Sequence, residues 1–381
     1  MCSHSLGKAL ITLMLLDKCS YAKVMDMLKD ISKDIVKDLN LFLKEKKKEA
    51  FFFSHTPFLY NNIVDFVSRK GKKIRPVLFV LSYLGYSKKL NIPYKKLIRS
   101  SLSMELLHDF MLIHDDVIDK STIRRGKPSL HRLYNKNFAM KKNHPLGQNL
   151  SIITGDILFS LAIEALLAFD GISSRKEKAL ALFTQTAAST AIGEYLDVIS
   201  DINSLEKVTE KEISLTYRLK TAKYTFASPI MIGALLAGAK NEEYKRIEKL
   251  GGLLGNAFQI QDDLLDIFST SKKTGKPIFS DLAESKKTFL VWKTYKTLSP
   301  SNKIIFKKLF NNPKKSKSDF LNIKKLIEVS GAHHFCIKKT NTLFTRAEKI
   351  CTTLEMKNKH KKELLGFISD LKNKSNLLDI E

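Results

Sequence analysis

The chain is expected to be all-α, and three observations carry that expectation. Apolar residues recur at three- and four-residue spacing along most of its 381 residues. Only 9 prolines and 16 glycines interrupt the pattern. Two of the resulting helices end in aspartate clusters of identical spacing. Helical periodicity with few breakers favours helix over strand. With 44% hydrophobic residues a large core is available, and one helical domain over residues 1–381 is expected.

In chain order, an apolar run from Ala9 to Leu16 reads as the face of a leading helix. It is too short to span a bilayer, and Asp17 and Lys18 follow it without a small-residue cleavage site. Residues 21–48 form an amphipathic helix on Met25, Leu28, Ile31, Ile35, Leu39 and Leu43. A loop from Phe51 to Phe58 leads to a short helix near Ile63–Ser68. Arg69 to Pro76 surrounds Gly71 with cations, and Pro76 sits in the first turn of the next helix; this is either an anion site or a solvated basic turn.

Helices are expected over 76–86 and 94–119, and residues 121–147 read as a polar connection, flexible from Asn135 to Gln148. Apolar helices follow over Leu150–Phe169 and Lys176–Ile199. Residues 207–236 place Lys220 and Thr221 inside a helix, and the next helix carries Gln259, Asp262, Asp263 and Asp266. A cationic turn at Thr274–Pro277 comes after it. From Leu290 the chain is helical and polar, broken near Asn311–Ser318.

The chemistry concentrates in two stretches. Asp115, Asp116 and Asp119 stand at i, i+1 and i+4, and Asp262, Asp263 and Asp266 repeat that spacing. On a helix this puts two carboxylates one turn apart with the third on the shoulder. Three carboxylates so close repel, and a divalent cation relieves them. Magnesium suits such sites because it shares its positions among carboxylates, waters and phosphates. Each cluster closes an apolar helix and precedes a cationic turn, Arg124–Arg125 in one case and Lys276 in the other. One such cluster is commonly a solvated face. Two point to a shared cavity that clamps a diphosphate between metal ions. His108, Leu112, Asp115 and Asp119 make one stripe, so His108 looks toward the same cavity.

The formal net charge is +26. Its lysine runs are not interleaved with aromatics as single-strand binding requires, so scattered solvated lysines are the plainer reading and no nucleic-acid partner is expected. Cys2, Cys19, Cys336 and Cys351 are far apart with no CxxC, which argues for a reducing compartment and against disulfides or zinc. A cytoplasmic protein without stable membrane insertion is the expectation.

In order and spacing, GKKIRP, ELLHDFMLIHDDVIDKSTIRRGKPSLH, Gly155–Asp156, KTAKYTF, FQIQDDLLD and a later GKP with Lys286 resemble the all-trans prenyl diphosphate synthases, or polyprenyl synthetases, over about residues 60–300. The resemblance implies a helical bundle of the isoprenoid synthase type around a central apolar cavity. It implies magnesium-dependent head-to-tail condensation of isopentenyl diphosphate with an allylic diphosphate, and three Mg2+ ions per site. The six aspartates would hold the metal. Arg124, Lys220, Gln259, Lys276 and Lys286 would hold the allylic diphosphate. Lys72, Arg75, His108 and Arg125 would hold isopentenyl diphosphate, and Thr221 would lie near the reacting carbons.

Phe110 and Met111, five and four residues before Asp115, would floor the channel and keep the product at farnesyl or geranylgeranyl length. A longer-chain synthase for quinone side chains is the alternative. The intact pair of clusters disfavours a non-catalytic partner subunit. A homodimer is the family expectation.

Overall fold

The computed structural model describes residues 3–49, 53, 55–142, 144–269 and 278–376. Its first helices are α1 (Ser3–Lys48), α2 (Pro57–Val67), α3 (Ile74–Tyr86) and α4 (Tyr94–Ile118). A small hairpin pairs β1 (Ile123–Arg124) with β2 (Lys127–Pro128). Then come α5 (Leu130–Asn137), α6 (Pro145–Leu167), α7 (Ser173–Ile202) and α8 (Glu210–Tyr217). A π-helical segment (Arg218–Ala227) joins α8 to α9 (Ser228–Ala237), and α10 (Asn241–Phe268) follows. The remainder is α11 (Ser280–Ala283), α12 (Phe289–Thr297), α13 (Pro300–Phe310), α14 (Lys317–Val329), α15 (Ala332–Thr352) and α16 (Asn358–Asn376).

At the centre, α4 has no single apolar face: its buried positions run in an unbroken row from Ser100 to Leu107, which suits a helix with neighbours all round. Leu97, Leu102, Leu106 and Leu107 are fully buried, each contributing about 2 kcal/mol. Its buried serines satisfy their hydroxyls on backbone carbonyls: Ser101 donates to Ile98 O at 2.7 Å, and Ser103 to Ser100 O at 2.7 Å. α6 crosses closely because Gly155 presents no side chain; a Cβ there would lie 2.4 Å from Nε2 of His114. Among the described residues, α6 is long and apolar enough to cross a membrane by length and composition. A second apolar cluster gathers α12 to α15 against the last turns of α10.

Several expectations change. The leading helix and the 21–48 helix are one element. Residues 121–147 are not a plain connection. Arg125 and Gly126 take φ of 54° and 75°, which closes a tight hairpin. Leu130 and Tyr134, one turn apart and buried, then build α5, with Tyr134 Oη 2.8 Å from Thr154 Oγ1. The expected flexible loop is pinned at Asn135, whose amide donates to Lys142 O at 3.1 Å and His144 O at 2.9 Å. It also accepts from Gly147 N–H at 2.9 Å. Polar composition hid these local bonds. The helix expected across 207–236 contains the π segment, which periodicity cannot distinguish from α-helix over ten residues.

Candidate active site

The C-terminal ends of α4 and α10 meet at a cavity of about 1050 Å³. Asp115 and Asp119 face it from α4, and Asp262 and Asp263 face it from α10. Asp116 does not. It is 1% exposed and turned against Arg124, whose Nε donates to Asp116 Oδ1 at 2.8 Å and whose Nη2 donates to Asp115 Oδ2 at 3.0 Å. Asp266 likewise serves the backbone, accepting from Ser280 N–H at 3.1 Å, Ser280 Oγ at 2.5 Å and Asp281 N–H at 3.1 Å. It thereby ties the chain returning after α10 to the cavity wall.

Two lysines cross the gap between the helices. Lys220 Nζ, on the π segment, lies 2.8 Å from Glu194, 2.7 Å from Asp197 and 3.3 Å from Asp115. Lys286 Nζ lies 2.7 Å from Asp119 and 3.5 Å from Asp197. Beside them, Thr221 Oγ1 donates to Gln259 Oε1 at 2.8 Å, and Gln259 Nε2 donates to Asp263 Oδ1 at 3.1 Å. Tyr217 donates to the other oxygen of Asp263. Lys276 lies outside the described residues.

A cationic group lines the adjoining wall. Arg75 Nη2 donates to Thr225 Oγ1 at 2.7 Å and its guanidinium lies 4.3 Å from the Tyr224 ring centre. His108 Nδ1 is 3.4 Å from Tyr224 Oη. Arg125 lies 3.0 Å from Asp109 and 3.6 Å from Glu105. Burial, then the charges of Arg75 and Arg125, holds His108 well below the usual imidazole range, so it stands neutral. Lys72 is exposed and is not among the lining residues; its neighbour Lys73 is buried, 2.8 Å from Glu105. Deeper in, Phe110, Met111 and Leu112 line an apolar stretch. The Phe110 ring packs 5.2 Å from Phe159, which stacks 6.0 Å from Phe183.

Carboxylates outnumber their partners. Burial, with repulsion from Asp262 and Asp266, pushes Asp263 up to about 8. Burial and the nearby Asp119 and Asp115 push Glu284 up to about 7. Asp119 and Glu194 are raised by burial first and by Asp115 second. Asp115 is different: burial would raise it, but Lys220, Arg124 and Lys286 hold it low. Oε1 of Glu194 is buried without a hydrogen bond. Such an excess of oxygen ligands fits magnesium. Among the described residues no three acidic, His or Cys side chains already converge into a closed metal cage. A magnesium ion held by these carboxylates would draw further ligands from waters and phosphate oxygens.

Glu194 and Asp197 escaped the sequence reading. Their signal was present, since Glu194, Asp197 and Asp201 fall at i, i+3 and i+7 on one face of α7. Tyr217 and Tyr224 carried no comparable signal.

Fold and site together define an all-α protein in which a carboxylate-rich wall and a cationic wall meet beside an apolar stretch. The polyprenyl synthetase family matches residues 56–327. The geranylgeranyl diphosphate synthase of Sulfolobus acidocaldarius is 31% identical over 297 residues, 77% of this chain and 83% of that protein. A short chain isoprenyl diphosphate synthase of Methanothermobacter thermautotrophicus is 32% identical over 270 residues, 71% of this chain and 77% of its own length. In structure, a geranylgeranyl pyrophosphate synthase from Corynebacterium glutamicum, complexed with isoprenyl diphosphate and magnesium, superimposes with a TM-score of 0.81. It covers 92% of this chain and 98% of its own at 23% identity, a likeness of fold. The Pyrococcus horikoshii geranylgeranyl pyrophosphate synthetase gives 0.76 at 27% identity, covering 92% of this chain and 98% of its own. The chain belongs to the polyprenyl synthetase family and is a trans-prenyltransferase.

Proposed function

We propose that this prenyltransferase joins isopentenyl diphosphate head-to-tail to an allylic diphosphate within the 1050 Å³ cavity, releasing a short all-trans product. The observation that carries this reading is the pairing of a carboxylate-rich end with a neighbouring cationic wall above an apolar stretch. Asp115, Asp119, Asp262 and Asp263 face the cavity and would hold magnesium, Asp263 by exchanging its Tyr217 and Gln259 donors, three ions being the number we propose. Ligation by Asp116 or Asp266 would require exchange of their present protein donors. Bound magnesium neutralises negative charge developing on a departing diphosphate.

Arg124, Lys220 and Lys286 would grip the allylic diphosphate, with Lys276 completing that set. Lys220 and Lys286 line the cavity, where they would stabilise the charge developing on the diphosphate. Gln259 orients Thr221 toward the reacting carbons. Arg75, His108 and Arg125 would hold isopentenyl diphosphate, with Lys72 at its rim. The apolar stretch at Phe110 and Met111 excludes water from the allylic cation and limits product length.

The test is diphosphate release and product chromatography with isopentenyl diphosphate, Mg2+ and dimethylallyl, geranyl or farnesyl diphosphate in turn. A farnesyl- or geranylgeranyl-length product is expected. No turnover with any primer overturns the reading.

We also propose a homodimer. On α7, Ile192, Tyr195, Ile199 and Ile202 form an exposed stripe, with Tyr195 65% and Ile202 80% exposed, and Ile152 and Ile153 of α6 are also exposed. A patch of this kind marks an association surface. Sedimentation at the mass of one chain would contradict it.

A further inference from the structure

The end of the bundle opposite the aspartates carries a second feature. α4 runs 21 residues from Tyr94 to Asp115, so its N-terminal end lies roughly 30 Å from the carboxylates. There the loop from Ser87 to Pro93 carries Lys88 and Lys89, and Leu90 between them and Asn91 is 102% exposed. Lys95 and Lys96 follow in the first turn of α4. The turn between α15 and α16 is fastened to the same end. Lys357 N–H donates to Gly85 O at 2.9 Å, and Glu355 N–H and Tyr86 Oη both donate to Glu243, at 2.8 and 2.5 Å. This adds exposed Lys357 and Lys359.

Among the described residues these six lysines are not neutralised. Lys240 pairs with Glu355 at 3.0 Å, but none of the six has a carboxylate within ion-pair distance among the described residues. Placing them here opposes helix electrostatics. The first turns of α4 and α16 contain no acidic residue, and both direct their positive dipole ends at this face. Cations there add to the dipoles instead of offsetting them, so folding gains nothing from the arrangement.

α1 points the same way. It pairs with α4 in parallel, Asp34 with Tyr94 at 2.9 Å and Glu45 with Arg99 at 2.7 Å. The helix before Asp34 therefore runs on past the α4 N-terminus, its described side chains reaching back to Asp26, roughly 12 Å further.

We propose that this end of the molecule docks on an anionic lipid bilayer. Lysines around Leu90 would meet the headgroups, and Leu90 would enter the interface. A bilayer fits better than nucleic acid: the face is formed by helix ends and a loop tip, its most exposed side chain is aliphatic, and its aromatic Tyr94 is tied to Asp34. Clustered lysines each strengthen attachment to acidic lipid, and a second apolar element is what makes such attachment stable.

The experiment is co-sedimentation of the full chain with phosphatidylcholine vesicles, with and without about one third phosphatidylglycerol, across salt from about 0.1 to 0.5 M. Binding to the anionic vesicles alone, weakening as salt rises, is expected. The K88E/K89E/K357E/K359E variant should bind at least roughly 1000-fold more weakly, and Leu90→Asp should lose the binding that survives high salt. Both should keep parental turnover on soluble substrates, which shows that they fold. Equal binding to neutral vesicles, or unchanged binding by the four-site variant, overturns the proposal. So does tighter binding of duplex DNA than of anionic vesicles. Because sedimentation is the readout, failure here leaves the prenyltransferase reading intact, and failure to turn over leaves this one intact.

Discussion

Arg124 and Asp116 form a buried pair, with Nε to Oδ1 at 2.8 Å, while Asp115 and Asp119 on the same helix face the cavity. The three aspartates of one motif therefore divide their work. Breaking a buried pair by removing one partner leaves an uncompensated charge. Asp116→Asn is expected to destabilise the protein by about 3 kcal/mol. Asp119→Asn, which leaves Lys286 with Asp197 and Glu284, should cost less stability but lower turnover roughly 100-fold. Urea unfolding and initial rates measure both. If Asp116→Asn unfolds at the parental midpoint, the pair has no structural role.

Gly193 lets α7 touch the π segment. A Cβ there would lie 2.3 Å from Lys220 N and 2.7 Å from Lys220 Cα. Gly193→Ala must displace the backbone that carries Lys220 and Thr221. Turnover should drop roughly 100-fold with helix content unchanged, since small misplacements at a reacting centre are costly. Steady-state rates and circular dichroism check this; parental kcat would show that the segment moves freely.

Phe110 stands first in a file of rings, with Phe159 and Phe183 behind it. Phe110→Ala should lengthen the product, and Phe110→Ala with Phe159→Ala should lengthen it further by opening the next layer. Chromatography of dephosphorylated products reads the outcome. Identical lengths in all three proteins would place the floor elsewhere.

His131 is 3% exposed, and burial, then Arg132, pushes its pKa down to about 4 from an unfolded value of about 6.5. The unfolded chain takes up a proton between those values while the folded one does not. His131 thus contributes stability above pH 6.5 that is lost as pH falls toward 4, up to about 3 kcal/mol. His131→Gln should flatten acid destabilisation over that window. Asp109, pushed up to about 7 by burial, works in the opposite sense, so the comparison must be against the parent. Equal losses between pH 7 and 4.5 in both proteins would exonerate His131.

Much was legible in the residues alone. Period 3.6 and scarce breakers determined the all-α class. Two equally spaced aspartate clusters at the ends of apolar helices pointed to one shared cavity, because apolar helices bury their stripes. The order of short motifs determined the family. Each of these depends on local spacing, which a linear chain displays directly.

Tertiary structure decided the rest. It turned Asp116 to Arg124 and Asp266 to the Ser280 backbone, although neither differs from its neighbours as a residue type. It brought Glu194 and Asp197 to Lys220, 23 or more residues away in sequence. It made residues 121–147 a hairpin and helix through Tyr134 and Asn135, and it collected Lys88 and Lys357 at one end of the bundle. Orientation of a side chain within a shared cavity depends on which helices pack beside it and which charges they bring, and those partners are distant in the chain.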